Sequence, residues 1–217
     1  MISALVFDFD GLILDTESSS YSTAAEVFAA HGVELSLEWW LGIIGTAEHP
    51  HWSELLEGEL GAPIPDRELV LAARLERHHA LIAAEQVRPG VVALLDEAAA
   101  ASVPTAVASS SPHEWVVGHL ERLGLIERFS VLRCRDDVER TKPAPDLYLA
   151  ACDALAADPA TAVALEDSPN GIAAAKAAGL VCVAVPGPMT AGEDLAKADL
   201  VVASLADVDL AGLTALL

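Results

Sequence analysis

The sequence predicts an α/β architecture, a doubly wound parallel sheet with a small all-helical domain inserted near its start. Two patterns carry the prediction. Short, apolar, often β-branched runs recur along the chain with helical patterns between them, as parallel sheets with crossover helices require. The stretch 15–87, by contrast, holds helical patterns only.

In chain order, the first strand falls at residues 4–7, Ala-Leu-Val-Phe, and ends at Asp8. Within the insert, helices fall at about residues 18–31, 37–43, 51–60 and 66–85, punctuated by Gly32, Gly45, Gly61 and the Pro63/Pro65 pair. The core then resumes with helix 89–101, strand 105–108, helix 112–123 and strand 130–133. Helix 145–157, strand 162–165, helix 170–178 and strands 181–185 and 200–202 follow, with a short helix at the end. Ser111-Pro112 and Ser168-Pro169 each read as an N-cap with proline at the first helical position, and Gly124 and Gly179 stand where helices stop. The expected division is a core of residues 1–14 and 88–217 and a helical cap of residues 15–87. A helical block inserted after the first strand of such a Rossmann-like sheet stands over its carboxyl edge, where open α/β folds build their sites and where a lid belongs.

At 217 residues the chain is long enough for one sizeable core with a small inserted domain. It is 53% hydrophobic, yet no apolar run reaches the roughly 18 residues of a membrane span. The first residues lack a basic segment and reach an acid at Asp8, so they read as a strand and not as a secretory leader. Cys134, Cys152 and Cys182 are odd in number and widely spaced, which fits a reducing cytoplasm better than a disulfide framework. The net charge of -21 argues against nucleic acid and anionic membranes, both of which need a basic footprint. It also draws attention to Lys142, one of only three lysines. Oligomeric state is left open, with a monomer the simpler expectation.

Four separated segments supply the groups that phosphoryl transfer through an aspartate requires: Asp8-Phe9-Asp10-Gly11, Ser109, Lys142 and Glu166-Asp167. Each follows an apolar run or lies in a loop near one. A carboxylate such as Asp8 is ionised at neutral pH and attacks phosphorus without a base. A second carboxyl two residues on, Asp10, can protonate the leaving oxygen and then take a proton from water. Four acids in one pocket repel unless a hard divalent cation and an ammonium offset them, and magnesium suits oxygen ligands and phosphate. Ser109, aided by Ser110 and the backbone N–H groups of the turn, can donate to a phosphoryl oxygen. The expected partner is a small phosphorylated metabolite.

The chain resembles the haloacid dehalogenase superfamily, in the branch with a helical cap between its first two motifs. The resemblance rests on residues 7–17 (FDFDGLILDTE), Val107-Ala108-Ser109-Ser110-Ser111, Thr141-Lys142-Pro143-Ala144-Pro145-Asp146 and residues 165–171 (LEDSPNG). It implies Asp8 as the nucleophile, Asp10 as acid and base, and Ser109 and Lys142 as holders of the phosphoryl group. It further implies magnesium on Asp8, the main-chain carbonyl of Asp10 and Asp167, with Glu166 as an outer or direct ligand. Within the branch the chain is similar to β-phosphoglucomutase-like and phosphoglycolate-phosphatase-like enzymes. The mutases usually carry a cap histidine where Ser20 stands and a cap arginine for the distal phosphate, a place that Glu48 takes here. Ser20 and Glu48 are thus the cap positions expected to face substrate, and they favour a phosphatase over a sugar-phosphate mutase. A non-catalytic binding protein on the same fold is the third reading, and Asp8→Asn separates it from an enzyme.

Other conspicuous residues have plainer readings. His49-Pro50-His51 lacks a third ligand for a metal, and His78-His79 reads as a solvated helix face. Trp39, Trp40 and Trp52 read as cap core or cap–core seam, and Trp115 as packing between its helix and the sheet. Arg74, Arg77 and Arg88 have only a weak claim on substrate.

Overall fold

The computed structural model describes residues 1–217. Strands β1 (Ala4–Phe7), β2 (Thr105–Ala108), β3 (Val131–Arg133), β4 (Ala162–Glu166), β5 (Val181–Ala184) and β6 (Leu200–Val201) form one sheet. All pairings are parallel, in the order β3-β2-β1-β4-β5-β6. The order reverses between β1 and β4, which places a crevice beyond their carboxyl ends. Phe7 pairs with both Val107 and Leu165, so Asp8, Ser109 and Glu166 emerge side by side at one edge.

The central strands are buried on both faces, which is why they are apolar throughout. Leu5, Phe7, Val107 and Leu165 point to one layer, against α5 (Val91–Ala100), α6 (His113–Arg122) and Leu213 of α9 (Leu210–Thr214). Ala4, Val6, Ala106 and Ala164 point to the other, against α7 (Asp146–Ala154) and α8 (Pro169–Ala177). Alanine dominates that second face, and small side chains let both helices lie close to the strands.

Between β1 and α5 the chain forms α1 (Glu17–Ala30), α2 (Leu37–Ile43), α3 (Trp52–Leu60) and α4 (Arg67–Ile82). These bury an apolar cluster of their own around Phe28, Trp40, Trp52 and Leu56. The insert leaves after Ile13 and returns at Arg88, whose N–H donates to the Ile13 carbonyl at 2.9 Å. The Arg88 guanidinium donates to the carbonyls of Gly11 and Pro186, tying the return to the edge of the sheet. Hydrogen bonds from Ser110 Oγ to the Gly45 carbonyl (2.9 Å) and from Asn170 Nδ2 to the Ile44 carbonyl (2.8 Å) seat the insert over that edge.

Several local expectations change. Ser168 caps α8 as expected, accepting from Gly171 N–H at 3.1 Å. Ser111 does not cap α6: Pro112 is the cap, the helix starts at His113, and the Ser111 hydroxyl donates to Asp10 at 2.7 Å. The Asp10 side chain takes the hydroxyl that would otherwise cap the helix. His51 caps α3 by accepting from Ser53 N–H at 3.2 Å, which gives His49-Pro50-His51 a structural role.

His78, read from the sequence as solvated, is buried and stacks on Trp115 with ring centroids 5.6 Å apart. Burial, reinforced by Arg74 and His79 and opposed by a hydrogen bond to the Thr16 backbone and by Asp10, holds its pKa down at about 4. The unfolded chain therefore takes the proton first, and stability is lost as pH falls from 6.5 toward 4. Urea unfolding of wild type and His78→Leu from pH 7 to pH 5 is expected to show a smaller acid loss in the variant. Parallel losses would contradict this account.

Candidate active site

β1 ends at Asp8, whose N–H is pinned to the Leu165 carbonyl at 2.9 Å. The chain then turns at Gly11, where φ is +85° and an added Cβ would stand 2.1 Å from Asp167 Oδ2. No other residue fits there. Lys142 is fully buried, and its Nζ lies 2.5 Å from Asp8 Oδ1 and 2.6 Å from Glu166 Oε1. Burial alone would lower the lysine pKa, but attraction to Asp8 and Glu166 outweighs it and raises the value, so the ammonium is charged.

Glu166 is saturated with donors. Its Oε1 also accepts from Tyr148 Oη at 2.6 Å, and its Oε2 from Asp167 N–H at 3.1 Å and Ser168 Oγ at 3.3 Å. Gly171 closes the other side, since a Cβ there would stand 1.9 Å from Glu166 Oε2. Asp167 is the opposite case: its Oδ1 is buried with no hydrogen-bond partner. Oxygens of Asp8, Glu166 and Asp167 lie within 4.8 Å of one another. Burial, then the Asp8 and Glu166 charges, push Asp167 well above the usual carboxylate range, and burial lifts Asp8 against the pull of Lys142. Three buried acids facing one ammonium, with one oxygen orphaned, fit a hard divalent cation. Glu166 has its oxygens engaged, so Asp8 and Asp167 have ligand positions to spare and Glu166 orients Lys142.

The Asp10 carboxylate is outside that trio. Its Oδ1 accepts from Thr16 Oγ1 and Trp115 Nε1, each at 2.8 Å, and its Oδ2 from Ser111 Oγ at 2.7 Å and Ser109 Oγ at 3.2 Å. Ser109, fully buried at the end of β2, also accepts from Ser111 N–H at 3.0 Å.

Between sheet edge and insert lies a cavity of about 400 Å³ whose floor includes Asp8, Asp10, Ser110 and Ser111. Its roof includes Glu17, Ser20, Trp40, His49, Trp52 and Arg74, and Arg135 stands at the side. Ser20 and Ser110 therefore reach the cavity as expected. Glu48 does not: its Oε1 accepts from Thr141 N–H at 3.0 Å, clasping the insert to the Lys142 loop. The resemblance put Glu48 where the mutases carry a substrate-facing arginine; here the Thr141 backbone N–H takes its carboxylate instead.

Arg74 is the functional candidate that sequence reasoning undervalued. Its Nη2 donates to Ser20 Oγ at 2.9 Å, its guanidinium lies 5.6 Å from the Trp52 ring centroid, and its buried Nε has no partner. The signal was available, because Arg74, His78 and Ile82 are spaced to share one face of α4, and Ile82 is buried. Glu17 was also passed over; burial and the Asp10 and Asp8 charges push it up to about 8. Tyr148, which holds Glu166 and stacks 5.1 Å over the Lys142 ammonium, carried no signal outside its helix pattern.

A parallel sheet with acids at the ends of β1 and β4, and a buried lysine spanning them, holds the groups that phosphoryl transfer through an aspartate requires. The chain matches the family model for haloacid dehalogenase-like hydrolases over residues 2–179, and it belongs to that family. It is 44% identical over 211 residues to the Bacillus subtilis (strain 168) protein named Putative phosphatase YhcW, spanning 97% of this chain and 96% of the relative. It is 31% identical over 210 residues to validoxylamine A 7'-phosphate phosphatase of Streptomyces hygroscopicus subsp. limoneus, spanning 96% of each. A solved mutant of CbbY from Rhodobacter sphaeroides, in complex with xylulose-(1,5)bisphosphate, matches with a TM-score of 0.76 and 33% identity over 98% of this chain and 99% of that one.

Proposed function

We propose that this chain is a magnesium-dependent phosphatase that hydrolyses a small phosphorylated metabolite, a sugar phosphate or similar, through an aspartyl-phosphate on Asp8. The observation that carries the reading is Lys142 Nζ, held between Asp8 and Glu166 beside the orphaned oxygen of Asp167. One relative is named for a 7'-phosphate and another was crystallised with a bisphosphate of xylulose, which supports a phosphorylated, hydroxyl-rich substrate. The polar roof of Glu17, Ser20, His49 and Arg74 suits such a substrate.

In this reading Asp8 attacks phosphorus, and Asp10 protonates the leaving oxygen and then draws a proton from the hydrolytic water. Ser109 and Lys142 hold the phosphoryl oxygens, with Ser110 beside them. Magnesium on Asp8, Asp167 and the Asp10 carbonyl would supply charge neutralisation for the phosphoryl group. Residues 15–87 act as a cap that opens to admit substrate and excludes water when seated. No helix is long and apolar enough to cross a membrane. The three cysteines are free and buried, in keeping with a reducing cytoplasm.

The test is phosphate release from a panel of sugar, polyol and short-acid phosphates, with magnesium and with chelator. Turnover that favours one group and falls to background with chelator is expected. Undiminished turnover in chelator removes the metal from the mechanism. A requirement for a catalytic bisphosphate, with isomer rather than phosphate as product, would replace the phosphatase by a mutase.

A further inference from the structure

Residues 42–48, the end of α2 and the loop after it, bring the insert onto three core loops, each beside a reacting group. Asn170, three residues beyond Asp167, donates from Nδ2 to the carbonyls of Gly42 at 3.2 Å and Ile44 at 2.8 Å. Ser110, next to Ser109, donates from Oγ to the Gly45 carbonyl at 2.9 Å. The third contact is reciprocal. Ala47 N–H donates to Thr141 Oγ1 at 3.3 Å, and Thr141 N–H donates to Glu48 Oε1 at 3.0 Å. Two consecutive residues of the insert thus hold both the hydroxyl and the backbone of the residue before Lys142.

The two partners of that clasp have unequal stakes in it. Glu48 is exposed, so its carboxylate would be well hydrated without Thr141. Thr141 is buried, and a buried backbone N–H needs an acceptor. Loss of the clasp therefore falls on the Thr141 side, where water must enter or the loop must shift. Lys142 runs inward from this loop to Asp8 and Glu166, so the backbone here sets where its ammonium ends. A reacting group misplaced by about 1 Å can cost 10²-fold in rate.

We propose that Glu48 is a positioning residue that clasps the Lys142 loop to the seated insert, so that the ammonium is held in place only while the cavity is roofed. The proposal rests on the reading of Lys142 as a holder of the phosphoryl group. With the insert lifted, the Thr141 N–H meets water, the loop loosens and transfer slows. With it seated, roof and ammonium arrive together. Phosphoryl transfer is thereby tied to the state in which bulk water is shut out.

Glu48→Ala removes the acceptor, and Glu48→Gln keeps one. Both are compared with wild type for phosphoryl transfer in a single turnover at saturating substrate, and for hydrogen exchange at the Thr141 amide. In Glu48→Ala, transfer is expected to slow about tenfold and the exchange to quicken by a similar factor, the worth of one hydrogen bond to a charged acceptor. Glu48→Gln is expected to stay within about twofold of wild type in both, and melting temperature to hold in both variants because the side chain is exposed. A merely structural role would lower the melting temperature and leave saturated transfer alone. Unchanged transfer in Glu48→Ala overturns the proposal, as does slowed transfer with Thr141 exchange unchanged, or equal slowing in the alanine and glutamine variants. Lys142→Met separates the two levels: full transfer in that variant sinks the reading of Lys142 and the proposal together. Lost transfer there, beside an unchanged Glu48→Ala, sinks the proposal alone.

Discussion

Replacing Asp8 by asparagine is expected to lower turnover by about 10⁴-fold or more while the protein remains folded. An amide is not a nucleophile toward phosphorus, and no other carboxylate can take its place. The Asp10 carboxylate is tied by four hydrogen bonds, both Glu166 oxygens are engaged, and Asp167 leaves a strand on the other side of the crevice. The variant keeps most of the buried cluster's shape and removes one of its negative charges. Binding of a phosphorylated ligand should survive, and isothermal titration of the variant with the best substrate from the panel measures it. Retained turnover would sink the aspartyl-phosphate mechanism.

Lys142→Met is expected to cost both activity and stability. Lys142 Nζ makes two short ion pairs in a fully buried setting, so its removal leaves Asp8, Glu166 and Asp167 without a cation in protein that has been stripped of metal. Breaking a buried pair on one side costs about 3–5 kcal/mol, far more than a surface pair. Urea unfolding in chelator checks the figure, and a loss below about 1 kcal/mol would show that the acids are neutral and the ion pairs unimportant. Magnesium should recover part of the loss in the variant, because a divalent cation binds the folded cluster and not the unfolded chain. Turnover should not recover with it, because in the proposed mechanism Lys142 holds the phosphoryl oxygens.

Strands were legible because each is a short apolar run with no competing reading, and the observed bounds fall within about one residue of those expected. Helix interiors were legible for a similar reason, whereas their ends depended on partners elsewhere. Ser111 looked like a cap until Asp10, a hundred residues away in sequence, claimed its hydroxyl. The helix expected to reach residue 85 stops at Ile82, where the chain turns back toward the sheet.

Asp8, Ser109 and Glu166-Asp167 could be brought together because they end or follow strands, and adjacent parallel strands bring their ends together; Lys142 reaches them from a loop. The roof of the cavity could not, because it depends on how four short helices lean over the sheet. That is how Glu48 came to be assigned to substrate when it binds Thr141, and how His78 came to be assigned to solvent when it lies under Trp115. Tyr148 shows a further limit: its hydroxyl has meaning only once Glu166 and Lys142 are known to lie beside it.

The insert enters and leaves the core through one neck, where Arg88 N–H meets the Ile13 carbonyl. A segment joined so narrowly can be lengthened, shortened or exchanged with little disturbance to the sheet, because loop-closure entropy grows only with the logarithm of length. Asp8, Lys142 and Asp167 all lie on the core side of that neck, while Ser20 and Arg74 lie beyond it. Under the proposed function, reaction and selectivity are then separately heritable in part: a lineage can try a new roof over the same Asp8, Lys142 and Asp167, as long as the roof keeps the Thr16 hydroxyl on Asp10.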